Sequence, residues 1–183
     1  MDVRRVSIIT TLTALCIATN YVLVGIHQVK LMDFIVFVGG FCLGPLAGAS
    51  IGILSWLIYG TINPYGFVPQ VWLATMFSEA IYGLVGGFLG KKFTPINFNG
   101  ERLRLSIFFG AIGFISTLFY DLITNVVYAS VFSVSIIVAI FFGAPFTILH
   151  QVSNAAIFGV STVPVITVLE KLLGGERVDV SKE

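Results

Sequence analysis

The stretch GGFCLGPLAGASIG, residues 39–52, decides how this chain is divided. It lies inside a run from Phe34 to Ile62 that holds no Asp, Glu, Lys or Arg, and it sets glycines at 39, 40, 44, 48 and 52 and a proline at 45 where one long apolar helix would be smoothest. Glycine and proline are the strongest interrupters of a helix. The run therefore reads as two helices joined at LGPL, one over about 33–43 and one over about 45–60. Pro45 suits the first turn of the second, where its missing N–H leaves no orphan. Gly44, Gly48 and Gly52 recur every four residues and give that helix a flat face for close backbone approach, with internal packing the expected use ahead of a ligand contact.

Composition sets the class. Hydrophobic residues make up 57%, charged residues 10%, and the mean hydropathy is +1.00, which is membrane-protein usage rather than soluble-domain usage. The chain reads as an all-α integral membrane protein. At about 20 apolar residues per span, 183 residues make one bundle of about six short helices and leave no room for an ATPase or a large catalytic domain. The basic residues fall in three clusters: Arg4 and Arg5; Lys91, Lys92, Arg102 and Arg104; and Lys171, Arg177 and Lys182. Lys30 alone stands apart. The positive-inside rule puts all three clusters in the cytoplasm, so an even number of spans separates each from the next and the Phe34–Ile62 block crosses twice. The expected map is a single transmembrane domain with helices at about 5–26, 33–43, 45–60, 70–90, 104–128 and 145–170. Its second helix is short, both termini are cytoplasmic, and 171–183 is a short tail. ASVFSVSIIVAIFFG, at 129–143, is too apolar for an ordinary loop and is either an extension of the fifth helix or a re-entrant cap. The N-terminal apolar stretch is too long for a signal peptide and lacks a clear cleavage site, so it reads as the first span. Cys16 and Cys42 read as small buried hydrophobes. The net charge of +1 and the scatter of basic residues over short loops speak against a nucleic-acid partner.

Ionisable groups at membrane depth are costly and mark functional candidates. Glu79 shares a helical face with Trp72, Thr75 and Gly83; Asp121 with Thr117, Asn125 and Tyr128; His150 with Thr147, Asn154 and Ser161. Three consecutive helices thus turn polar in their outer halves. The expected substrate-binding set is Trp72, Glu79, Asp121, Asn125, His150 and Asn154, lining an outward pocket for a small polar molecule with donors and acceptors. Asp121, Asn125, His150 and Asn154 equally suit hydrogen bonding among themselves as an interhelical lock. Glu79 suits a proton relay or an ion partner for a basic group. Lys30 and Asp33 read as a solvated interface pair. Trp56, Tyr59, Tyr65 and Trp72 read as interfacial anchors, some placed to stack on a flat ligand. His27 and His150 are the only histidines, and no helical ligand pair accompanies them, so no metal is expected. The first helix instead lines up Ser7, Thr11, Ala14, Ala18 and Gly25, a small-residue face that invites another helix, from this chain or from a partner.

These segments are similar to a known family. TALCIA (13–18) resembles the Ala-x-x-x-Ala motif on helix 1 of the substrate-binding S components of energy-coupling factor transporters, mapping onto Ala14 and Ala18. GPLAGASIGILSWLIYG (44–60) looks like their glycine-rich third helix after a short second one. YDLITNVVYA (120–129) and GAPFTILHQVSNAAIFGVSTVPVI (143–166) resemble the fifth and sixth helices of many members. The resemblance implies a multi-pass subunit of the prokaryotic cytoplasmic membrane that captures a vitamin or related micronutrient. Its partners would be a separate transmembrane scaffold, which contacts the Ala14 and Ala18 face, and two ATPase subunits. It implies no cofactor and no catalytic residue, and the family's ligand residues vary with substrate. The chain has no Walker-type Gly-Lys-Thr/Ser motif, and no His near position 2 of the kind that marks nickel or cobalt members. HExxH and paired-glutamate motifs are also missing, as is a serine nucleophile with a base nearby, which argues against an intramembrane enzyme. The other classes left open are a non-catalytic structural subunit of a larger complex and a self-standing ion-coupled carrier titrating at Glu79 or Asp121.

Overall fold

The computed structural model describes residues 3–93 and 102–172, without the side chains of 170–172. The residues at 94–101 and 173–183, expected on the cytoplasmic side, lie outside the described residues. The described chain is all-helical: α1 Val3–Val22, α2 Met32–Leu43, α3 Pro45–Ile62, α4 Pro69–Lys92, α5 Arg102–Val131 and α6 Ile136–Leu172. Five of these are long and apolar enough to cross a membrane, and α2 is a shorter apolar helix. Leu57, Phe77, Phe88, Ile107, Phe119 and Val160 point outward, as side chains bathed in lipid must.

The short helix is the centre of the bundle. α2 packs against α1, α3, α4 and α6, and nearly all of its residues are buried. Twelve residues rise only about 18 Å, well short of the roughly 30 Å hydrocarbon core, but the surrounding helices keep lipid away from it. The LGPL turn closes α2 at Gly44, whose φ of 95° suits glycine alone, and Pro45 takes the first position of α3. The glycine face packs internally. Gly48 sits on Gly40 and on the Gly83 carbonyl, Gly52 lies against the Glu79 backbone, and a Cβ added at Gly40, Gly48 or Gly83 would fall on main-chain atoms. Below this crossing Phe37, Phe41, Phe109 and Phe158 form an aromatic core, with ring centroids 5.0 Å apart for Phe37 and Phe158 and 6.2 Å for Phe37 and Phe109.

Three boundaries correct the expected map. α1 stops at Val22 rather than near residue 26, and turns follow it. α5 ends at Val131, and after a turn with Ser133 at φ 53° the chain starts α6 at Ile136, so 136–144 belongs to α6 and not to α5 or a re-entrant cap. Pro145, expected to open the sixth helix, lies inside it together with Pro164. A proline removes one i→i−4 bond and kinks a helix, and the apolar residues on both sides favour keeping the remaining backbone bonds closed.

The helices alternate in direction. Arg4, Arg5, Lys91, Lys92, Arg102 and Arg104 consequently gather at one end, where the Arg5 guanidinium donates to the Leu43 carbonyl at 3.0 Å. The loops 23–31 and 63–68 share the other end, joined where the Tyr65 hydroxyl donates to the Val24 carbonyl at 2.9 Å. α1 turns Ile9, Thr13, Cys16 and Asn20 inward and leaves Ser7, Thr11, Ala14 and Ala18 exposed. Among the described residues nothing covers its small-residue face.

Candidate functional site

Two adjoining features occupy the loop end of the bundle: a buried polar network and an open aromatic pocket. The network begins at Asp33, in the first turn of α2, where helix N-terminal N–H groups favour a carboxylate. Asp33 Oδ2 lies 2.8 Å from His150 Nε2 and accepts from Asn154 Nδ2 at 2.7 Å, both on α6 and one turn apart. His150 Nδ1 meets Asp121 Oδ1 of α5 at 3.0 Å. Asn154 Nδ2 also donates to Thr117 Oγ1 at 2.7 Å; Thr117 accepts from Tyr82 OH of α4 at 2.9 Å and donates to the Gly113 carbonyl at 2.8 Å. Four helices are thus fastened at one level. Asp33, His150 and Asn154 are 1%, 1% and 0% exposed.

Each of the two His150–carboxyl contacts needs a proton on its N···O line. An imidazolium between two carboxylates supplies both protons, and so does a neutral imidazole with one carboxylic acid. Either way the Asp33–His150–Asp121 triad carries one net negative charge.

The pocket, of about 300 Å³, lies between the end of α3, residues 63–68, the start of α4 and the end of α5. Trp56, Trp72, Tyr65, Tyr128 and Phe132 wall it, and Thr75 is a polar member of its lining. Local chemistry builds it. Asn63 bridges its own turn, with Nδ2 donating to the Gly60 carbonyl at 2.7 Å and Oδ1 accepting from the Tyr65 N–H at 2.9 Å, an Asx-type closure. Gly60 leaves room for the Trp72 ring, on which a Cβ would fall. Trp72 Nε1 donates to the Trp56 carbonyl at 2.9 Å, and Trp56 Nε1 donates to Glu79 Oε2 at 3.0 Å. Trp56 therefore links the pocket to the interior, its ring in the pocket wall and its N–H on a carboxyl that is 0% exposed.

Of the residues expected to bind substrate, Trp72 stands in the pocket wall, and Glu79 lies behind Trp56, outside the lining. His150 meets Asp121 directly and is joined to Asn154 through Asp33, and none of the three lines the pocket. Asn125 is half-buried and reaches Thr147 Oγ1 at 3.5 Å, a weak link between α5 and α6. Sequence reasoning missed the place of Asp33, which is buried in the network rather than solvated beside Lys30. Lys30 is likewise only half-exposed, its Nζ 5.5 Å from the Trp56 ring centroid and 5.4 Å from that of Tyr120, in cation–π range of both. The signal for Asp33 was its position at the head of MDFIVFVGGFCL, a segment apolar on every face and hence buried all round. Among the described residues no group of three or more His, Cys, Asp or Glu side chains is placed to hold a metal ion. The chain matches no protein-family model, no curated protein and no solved structure.

Proposed function

We propose that this chain is the substrate-capturing subunit of an ATP-driven importer of a small micronutrient, a vitamin or related polar heterocycle. It acts without catalysis of its own, beside a separate transmembrane scaffold and two ATPase subunits. The observation that carries the reading is the aromatic pocket at the end of the bundle opposite the clustered basic residues Arg4, Arg5, Lys91, Lys92, Arg102 and Arg104. A cavity of about 300 Å³ walled by two indoles and two phenols suits a flat ligand of modest size. Asn63, Thr75 and main-chain groups are its hydrogen-bonding partners, and the network of Asp33, Asp121, His150 and Asn154 holds the helices beneath. With the basic end in the cytoplasm, the pocket opens to the outside of the cell membrane.

The test is mass spectrometry of small molecules that co-purify with the protein, followed by calorimetry with the molecule found. Trp72→Ala is expected to stay folded and to bind at least tenfold more weakly, about 1.4 kcal/mol. If nothing binds the folded wild type, the chain is a structural subunit instead.

Two further results are expected. Ala14→Leu with Ala18→Leu should leave ligand binding intact and abolish co-purification of a membrane partner, because bulk on an exposed small-residue face blocks helix approach; unchanged co-purification would remove α1 from the interface. A cysteine at Asn97 should resist impermeant thiol reagents applied to intact cells, and labelling there would invert the topology.

A further inference from the structure

Two carboxyl groups are sunk in the interior on packed helices, and among the described residues one oxygen of each has no donor. Glu79 stands on α4 and Asp33 on α2, the two helices pack together, and each charge acts on the other's surroundings. The residues are 0% and 1% exposed. Their outer oxygens are occupied, Glu79 Oε2 by the Trp56 N–H and Asp33 Oδ2 by His150 and Asn154. Among the described residues Glu79 Oε1 and Asp33 Oδ1 have no hydrogen-bond partner. Two carboxylates so placed, away from water, do not both stay ionised.

The neighbouring groups do not relieve the pair. The titratable and charged side chains around it are Lys30 from the loop, Cys16 of α1, Tyr59 of α3, Tyr82 of α4, Tyr120 and Asp121 of α5, and His150 of α6. The Tyr82 hydroxyl is given to Thr117, and the Cys16 thiol points at the Met32 carbonyl. His150 serves Asp33 and Asp121, a triad with one net negative charge. Lys30 offsets that charge, and an ionised Glu79 would leave another unmatched. Two carboxylates are too few oxygen ligands for a hard metal cation.

We propose that Asp33 and Glu79 hold a single proton between them, and that this proton is linked to occupancy of the aromatic pocket through Trp56. The indole forms part of the pocket wall and bonds Glu79 with its N–H, so a ligand that shifts the ring changes what the carboxyl faces. Linkage makes the effect reciprocal. The proton site stands on its own; only its coupling rests on the reading of the pocket as a ligand site.

Trp56 and Trp72 are the only tryptophans, which makes Trp56 a reporter. In ligand-free Trp72→Phe protein, emission from Trp56 is expected to titrate with pH. The whole pH-dependent amplitude should vanish when Glu79→Gln is added, because the amide keeps the shape and stands in for the protonated carboxyl. Emission that is flat over the pH range in which the protein stays folded would overturn the proposal, as would a titration that survives Glu79→Gln. A response to sodium in place of potassium at fixed pH, lost in Glu79→Gln, would assign the pair to a metal cation instead. Should either variant fail to fold, infrared difference spectra of the wild type decide: a protonated-carboxyl band that shifts in heavy water supports the shared proton, and its absence refutes it. Failure to find any co-purifying ligand would leave this titration in place, so the two readings fail separately.

Discussion

Asp33→Ala is expected to cost the fold about 3–5 kcal/mol, because it breaks a buried ionic network from one side and leaves the other side unpaired. His150 Nε2 and Asn154 Nδ2 both spend a bond on this carboxylate, at 2.8 and 2.7 Å. Without it the imidazole keeps Asp121 alone, and the Asn154 amide keeps Thr117 as its one short contact. The damage is also topological. The Asp33 side chain bonds α2, the central helix, to α6, so its loss loosens the contact on which the other helices are arranged. Thermal unfolding in detergent should fall by roughly 6–20 °C for a chain of this size. Asp33→Asn, which keeps an acceptor oxygen and the shape, should fall by much less. A melting temperature for Asp33→Ala within a few degrees of wild type would mean that the network does not hold the helices.

How far the site was legible follows from the same residues. Sequence periodicity placed His150 with Asn154 and Asp121 with Thr117 on single helical faces, since one turn separates each pair. The LGPL break was equally readable, because a glycine at φ 95° followed by proline is local chemistry. What the sequence hid were pairings across helices. Trp56 and Glu79 lie 23 residues apart on neighbouring helices, and which turn faces which depends on the depth of the α3–α4 crossing. That depth is set by Gly48 against Gly83, a contact with no one-dimensional signature beyond the glycines themselves. Asp33 was misplaced for a related reason: a residue at a helix start reads as interfacial unless that start is known to be sunk inside the bundle.

The polar network and the pocket share one geometric dependence. Asp33 reaches His150 only because α2 is sunk among its neighbours, and Trp56 reaches Glu79 only because α3 and α4 cross in backbone contact. Both conditions are met by the three glycines at 40, 48 and 83, so one position controls the fold and the site together.

Gly83→Leu should therefore prevent folding altogether. A Cβ at this position would fall on the Gly48 carbonyl and the Ala49 nitrogen, while Gly40 of α2 lies against the Gly83 carbonyl. Overpacking an ordinary core costs about 1–3 kcal/mol because side chains can turn aside; here the obstruction is the main chain of α3. The variant is expected to give no monodisperse species in size-exclusion chromatography, and Gly83→Ala should show the same loss to a lesser degree. Gly25→Leu is the control, since nothing lies within 4 Å of its Cβ position, and it should purify as the wild type does. A Gly83→Leu protein that purified and melted like the parent would show that α2, α3 and α4 do not meet at this level, and with that contact would go the placement of Asp33 beside Glu79.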